Sequence, residues 1–172
     1  MRALSADPGS GASEIQVLVE RRPADSAVAC LRLALTAQAR TSLRGCRRTV
    51  CGRDVLLQLP RGAALEPGEL LAPAGEAGPL VRVEAAPEPL LQVRSSEPLA
   101  LLQAAYHLGN RHVAMELHAD RLLLLDDSVL ADLLRRRGLQ VECLEAPFCP
   151  EPGAYEGHGH AHSHGSGHHH DH

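Results

Sequence analysis

The sequence predicts an α+β protein: a small all-β N-terminal domain, then a ferredoxin-like βαββαβ domain, then a disordered His-rich tail. Three observations carry this reading. Short apolar runs broken by turn residues fill roughly residues 14–86. After Pro87-Glu88-Pro89 the pattern changes to alternating strand-like and helix-like segments. From Glu156 to His172 the only apolar residue is Ala161. The domains are accordingly drawn at 14–86, 87–155 and 156–172, with residues 1–13 as a disordered N-terminus.

In the first segment Ile15-Gln16-Val17-Leu18-Val19, Leu31-Arg32-Leu33-Ala34-Leu35 and Val55-Leu56-Leu57-Gln58-Leu59 read as strands. Pro60-Arg61-Gly62, Glu66-Pro67-Gly68 and Gly75-Glu76-Ala77-Gly78-Pro79 read as the turns between strands. Such close spacing suggests a small barrel or sandwich.

In the second segment Leu90-Leu91-Gln92-Val93 reads as a strand, and Glu97-Pro98 opens a helix in which Leu99, Leu102 and Tyr106 share one face. Gly109 stands where a left-handed residue would end that helix. His112 to Leu117 alternates as a strand with Val113, Met115 and Leu117 on one face, and Arg121 to Leu125 follows as another. Asp127 or Ser128 caps a second helix, with Val129, Leu130, Leu133 and Leu134 facing inward. Arg135, Arg136 and Arg137 occupy its last turn, where cations favour the negative helix end, and Gly138 ends it. Leu139, Val141 and Cys143 alternate as the last strand, which completes the split βαββαβ order.

Composition narrows the function. Two Tyr and one Phe are the only aromatics, too few to stack bases or sugars. A formal charge of −4 lacks the basic footprint of a nucleic-acid binder. All 17 basic residues are Arg, so chemistry that needs a catalytic lysine is excluded. Met1 to Ser13 has no apolar stretch of the signal-peptide kind, and no run approaches the roughly 18 apolar residues of a membrane span. Five cysteines without CxxC spacing suit reduced thiols, with Cys46 and Cys51 structural, and a cytoplasmic location.

Eight of the eleven histidines lie in the tail: His158, His160, His162, His164, His168, His169, His170 and His172. Neutral imidazole suits Ni²⁺, Zn²⁺ and Cu²⁺, and several rings on a Gly/Ser-rich chain can converge on one ion. Alternating Gly-His-Gly-His-Ala-His-Ser-His is unlike the uninterrupted run of a purification tag. Composition alone does not choose the metal, because Cu²⁺ normally binds more tightly than Ni²⁺. A second candidate is His112, just past the Gly109-Asn110 turn. A single His makes a poor site. His118 lies six residues further along, roughly 20 Å away at about 3.3 Å per residue. A two-fold axis beside His112 would bring two imidazoles to one ion. The spacing equally fits a bland reading in which His107 caps the helix dipole and His112 is an ordinary strand residue.

His107-Leu108-Gly109-Asn110-Arg111-His112, followed by a His-rich C-terminus, resembles UreE, the urease accessory nickel chaperone family. The stretch from Arg40 to Arg47 resembles that family's spaced basic strand. Leu59-Pro60-Arg61-Gly62 and the segment Pro147 to Tyr155 resemble further family segments. The likeness spans about residues 14–172. It implies a β-rich, partner-binding N-terminal domain and a ferredoxin-like metal-binding domain. It also implies a homodimer in which His112 of each chain shares a metal. Delivery of Ni²⁺ to apo-urease, with the maturation GTPase as direct partner, follows from the same likeness. A catalytic metal site needs a fixed open coordination position, and the histidines here are floppy or single, so no catalysis is expected. Where some relatives carry further histidines this chain has Leu125-Asp126-Asp127-Ser128, so that work falls to the tail. The alternative is a His-rich nickel, zinc or copper storage protein without a specific client.

Overall fold

The computed structural model describes residues 15–25, 30–75 and 78–152, so the N-terminal residues 1–13 and the tail 156–172 lie outside the described part. The fold is mixed α+β. Strands β1 (Gln16–Leu18), β4 (Arg44–Arg48) and β5 (Asp54–Gln58) form one sheet in the order β1-β5-β4. Strands β2 (Glu20–Arg22), β3 (Cys30–Leu35), β6 (Leu70–Ala72) and β7 (Leu80–Ala85) form a second, in the order β2-β6-β7-β3. In β5 the period of two is clean: Val55 and Leu57 are buried while Asp54 and Gln58 are exposed. Leu18, Leu33, Val55, Leu57, Leu71 and Val83 from both sheets meet in one aliphatic core.

Two pairings, β1 with β5 and β3 with β7, are parallel. Parallel neighbours need long crossovers, which turn spacing in the sequence does not reveal. Between β3 and β4 lies the one-turn helix α1 (Ala37–Arg40). Its N-cap Thr36 Oγ1 accepts the Ala39 N–H at 3.1 Å, and the Glu88 carboxylate accepts the Ala37 N–H at 2.7 Å. Glu88 belongs to β8 (Pro87–Arg94), so this bond ties α1 to the next sheet.

That sheet contains β8, β9 (Met115–Leu117), β10 (Arg121–Leu125) and β11 (Gln140–Pro147), ordered β11-β8-β10-β9 with every pairing antiparallel. With α2 (Pro98–Gly109) and α3 (Ser128–Arg136), the chain order is the split βαββαβ read from the sequence. Both sheet faces are covered, so the alternation is lost: Leu90 and Leu91 in β8 and Leu122 to Leu124 in β10 are all buried. Leu91, Val93 and Leu124 meet Leu101, Ala104, Leu108, Ala131 and Leu134 of the helices. On the other face Leu90 and Leu123 hold Phe148, against Ala37 of α1.

Four expectations are corrected. The α2 face made of Leu99, Leu102 and Tyr106 is the outer one, 64–68% exposed. The sheet side carries Leu101, Ala104 and Leu108, where the small Ala104 lets the helix approach closely. In α3, Val129 is exposed, because the Asp127 cap fixes a helix phase that turns Ala131 and Leu134 inward. Cys46 and Cys51 are exposed rather than structural, as is Cys143, where the alternation of β11 slips. His112 does not begin a strand; β9 starts only at Met115. Among the described residues no helix is long and apolar enough to cross a membrane.

Candidate metal centre

The turn that holds His112 is built by the end of α2. The His112 N–H donates to the Gly109 carbonyl at 2.9 Å, and the Val113 N–H to the Leu108 carbonyl at 3.1 Å. These two bonds are the 5→2 and 6→1 pair of a Schellman motif. Val113 and Leu108 share the same apolar cluster, which supplies the motif's hydrophobic contact. In such a turn the residue after the C-cap must be left-handed, and glycine usually fills that place. Here it is His112, at φ +57°, the one non-glycine with positive φ among the described residues. The left-handed residue is therefore His112 and not Gly109, which stays in the helix.

Helix α3 ends with the same bonds. The Gly138 N–H donates to the Arg135 carbonyl at 2.9 Å and the Leu139 N–H to the Leu134 carbonyl at 3.2 Å, with Gly138 at φ +81°. The chain thus uses glycine where the turn is only a turn, and histidine at the other. A side chain in the left-handed region costs of order 1 kcal/mol, and strain of this kind gathers at functional sites. The imidazole of His112 is exposed and has no hydrogen-bond partner among the described residues. The turn therefore fixes its backbone while the ring stays free to ligate.

Of the other two described histidines, one has a ring-nitrogen partner and the other only a ring contact. His107, half-buried, lies edge-on to Tyr106 with ring centroids 5.5 Å apart. His118 Nε2 is 2.8 Å from Glu116 Oε1, and the other oxygen of that carboxylate accepts the Cys149 N–H at 2.9 Å. Asp127 Oδ1 accepts the N–H groups of Val129 and Leu130, so this carboxylate serves the α3 cap. No three His, Cys, Asp or Glu side chains converge on a metal position among the described residues. A complete site therefore needs ligands from a second chain or from His158, His160, His162, His164, His168, His169, His170 and His172, which lie outside the described residues.

The face of Leu99, Leu102 and Tyr106, which runs along α2 toward the His112 turn, was legible in the sequence, but its exposure was not. A helix with apolar stripes on opposite sides can bury only one of them in its own core.

Comparison with known proteins identifies the family. Residues 88–172 match the family model described as the UreE urease accessory protein, C-terminal domain. The urease accessory protein UreE of Parasynechococcus marenigrum (strain WH8102) is 56% identical over 144 residues, covering 84% of this chain and 95% of the relative. That of Synechococcus sp. (strain CC9311) is 53% identical over 152 residues, covering 88% and 97%. The protein of the same name from Thermosynechococcus vestitus is 50% identical over 133 residues, covering 74% and 88%. The matches span both the β-rich half and the half that carries His112, and by them the chain belongs to the UreE family of urease accessory proteins.

Proposed function

We propose that this chain is a homodimeric nickel chaperone that carries Ni²⁺ to apo-urease, working with the urease-maturation GTPase and acting as no enzyme itself. The observation that carries the reading is His112, an exposed imidazole held in a backbone conformation that its twin turn gives to glycine. Nickel is cargo here, so it must be released as well as bound. One fixed imidazole per chain suits that task, since coordination positions stay open for the acceptor's ligands. A catalytic metal site needs several fixed protein ligands and a defined open position.

The second copy of the chain covers the Leu99, Leu102 and Tyr106 stripe. In an isologous contact each patch meets itself, so two α2 helices would cross near a two-fold axis and bring the two His112 turns together. The tail histidines add redundant, exchangeable ligands, and Zn²⁺ or Cu²⁺ can occupy the same donors. Free thiols at all five cysteines agree with a reducing cytoplasm.

The test is a nickel titration of the full chain beside one ending at Gly157, with mass measured by light scattering. Both should be dimers. The shorter one should lose most ions yet keep about one per dimer, since two chains share one site at the axis. A truncated dimer that binds no nickel would sink the His112 site. A pure storage protein would form no nickel-dependent complex with the GTPase, whereas a donor should.

A further inference from the structure

Arg40, in the last turn of α1, is only 5% exposed, yet no carboxylate lies within ion-pair distance of it among the described residues. Its Nη2 donates to the Phe148 carbonyl at 2.6 Å and its Nη1 reaches the Cys149 sulfur at 3.7 Å. The Nε–H has no acceptor among the described residues. A buried guanidinium without a counter-charge and with an orphaned donor is costly to keep. It faces a cavity of about 580 Å³ between α1, the loop Gly62 to Pro67 and Cys149 to Pro152.

A second cavity, of about 430 Å³, shares Thr41 and Gly62 with the first and is lined by Arg44 and Arg61. Neither arginine has an ion-pair partner among the described residues, whereas Arg21, Arg22, Arg32 and Arg48 each have one. Three uncompensated guanidinium groups therefore line two adjoining cavities that meet at Thr41 and Gly62. The surroundings are basic as well: residues 15–25, 30–75 and 78–86 hold ten arginines against six carboxylates. Glu66 and Glu151 line the first cavity, while the second contains no carboxylate.

We propose that these two adjoining cavities dock an extended acidic segment of a partner protein, with one carboxylate on Arg40 and others on Arg44 and Arg61. Arginine's planar fork matches a carboxylate, and small residues (Ala37, Gly62, Ala63, Ala64) leave room for a peptide backbone. No aromatic ring lines either cavity to stack a base, which disfavours a nucleic-acid strand. The docking stands independently of nickel, so its failure would leave the His112 reading untouched.

The test titrates the metal-free full chain with fluorescently labelled acetyl-Gly-Glu-Asp-Glu-Gly-amide, its Gln/Asn counterpart and a short oligouridylate. Anisotropy and the Arg40 Nε–H resonance are the readouts. The acidic peptide should bind at least about tenfold more tightly than the amide peptide, weaken with salt and shift the Arg40 resonance. Arg40→Gln could disturb the Phe148 junction, so the deciding variant is Arg44→Glu with Arg61→Glu, both exposed. It should lower acidic-peptide affinity by at least about tenfold without changing the melting temperature. Equal binding of acidic and amide peptides, tighter binding of oligouridylate, an unmoved Arg40 resonance or an unaffected double variant would each overturn the proposal.

Discussion

Replacing His112 with glycine should stabilise the protein while removing its fixed metal ligand. The left-handed conformation at φ +57° costs a side-chain-bearing residue about 1–2 kcal/mol. Glycine removes that cost but adds roughly 0.5–1 kcal/mol of backbone entropy lost on folding. The His112 ring is exposed and packs in none of the apolar clusters, so no burial is lost. The net gain lies between about zero and 1.5 kcal/mol, centred near 0.75 kcal/mol, or about 2–3 °C in melting temperature for a chain of this length. His112→Ala keeps the strain and should be no more stable than the parent. The mirror change, Gly138→Ala, should cost about 1 kcal/mol from φ alone, because a Cβ there meets nothing within 4 Å. The assay is urea denaturation of metal-free protein at one fixed concentration, since bound metal and dimerisation both add to apparent stability. Nickel binding of chains ending at Gly157 gives the second axis: His112→Gly and His112→Ala should both lose the interface ion. A His112→Gly protein that is no more stable than the parent would refute the strain argument, and one that keeps its interface nickel would refute the ligand assignment.

Three other outcomes follow from the structure. Leu102→Asp, on the outer face of α2, should give a monomer by light scattering with unchanged circular dichroism; a persisting dimer would mean that another surface pairs the chains. Phe148→Ala removes the one phenylalanine, fully buried between Leu90, Leu123 and Ala37, and should cost about 3–5 kcal/mol in urea denaturation; a loss below about 1 kcal/mol would show that the junction repacks. Hydrogen bonding to Arg48, and then its charge, hold the Asp54 carboxyl below the ordinary aspartate value. Any help from this exposed pair is therefore present above about pH 4 and fades as pH falls through the lowered pKa, and Arg48→Gln should raise the Asp54 midpoint in a carboxyl NMR titration.

The βαββαβ order was readable because both helices carry end signals: Pro98 near the first start, Asp127 before the second and Gly138 after it. The parallel pairings of β1 and β3 were not, because pairing between strands distant in sequence leaves no local trace. His112 could be singled out as a candidate, but its left-handed turn could not, since Gly109 offered a cheaper place for positive φ. Nor does α2 announce which apolar stripe faces the sheet. Leu99, Leu102 and Tyr106 are larger together than Leu101, Ala104 and Leu108, and yet close packing on the sheet selects the stripe with the smaller Ala104. The uncompensated charge of Arg40 is likewise a tertiary fact, set by Phe148 more than a hundred residues away.

The Glu151 N–H donates to the Met115 carbonyl at 2.8 Å, so the chain is pinned beside β9 just before its final segment. Met115 is three residues past His112, at most about 11 Å along the backbone. His158 is seven residues past Glu151, within about 25 Å by the same covalent limit. The covalent limit thus lets the first tail imidazole reach the His112 of its own subunit, and if both bind metal as proposed, exchange of an ion between them would be an intramolecular event. Tethers this short give local concentrations on the order of millimolar, far above those of the free protein. Dilution should then slow the passage of nickel between separate molecules and leave its passage from tail to turn unchanged.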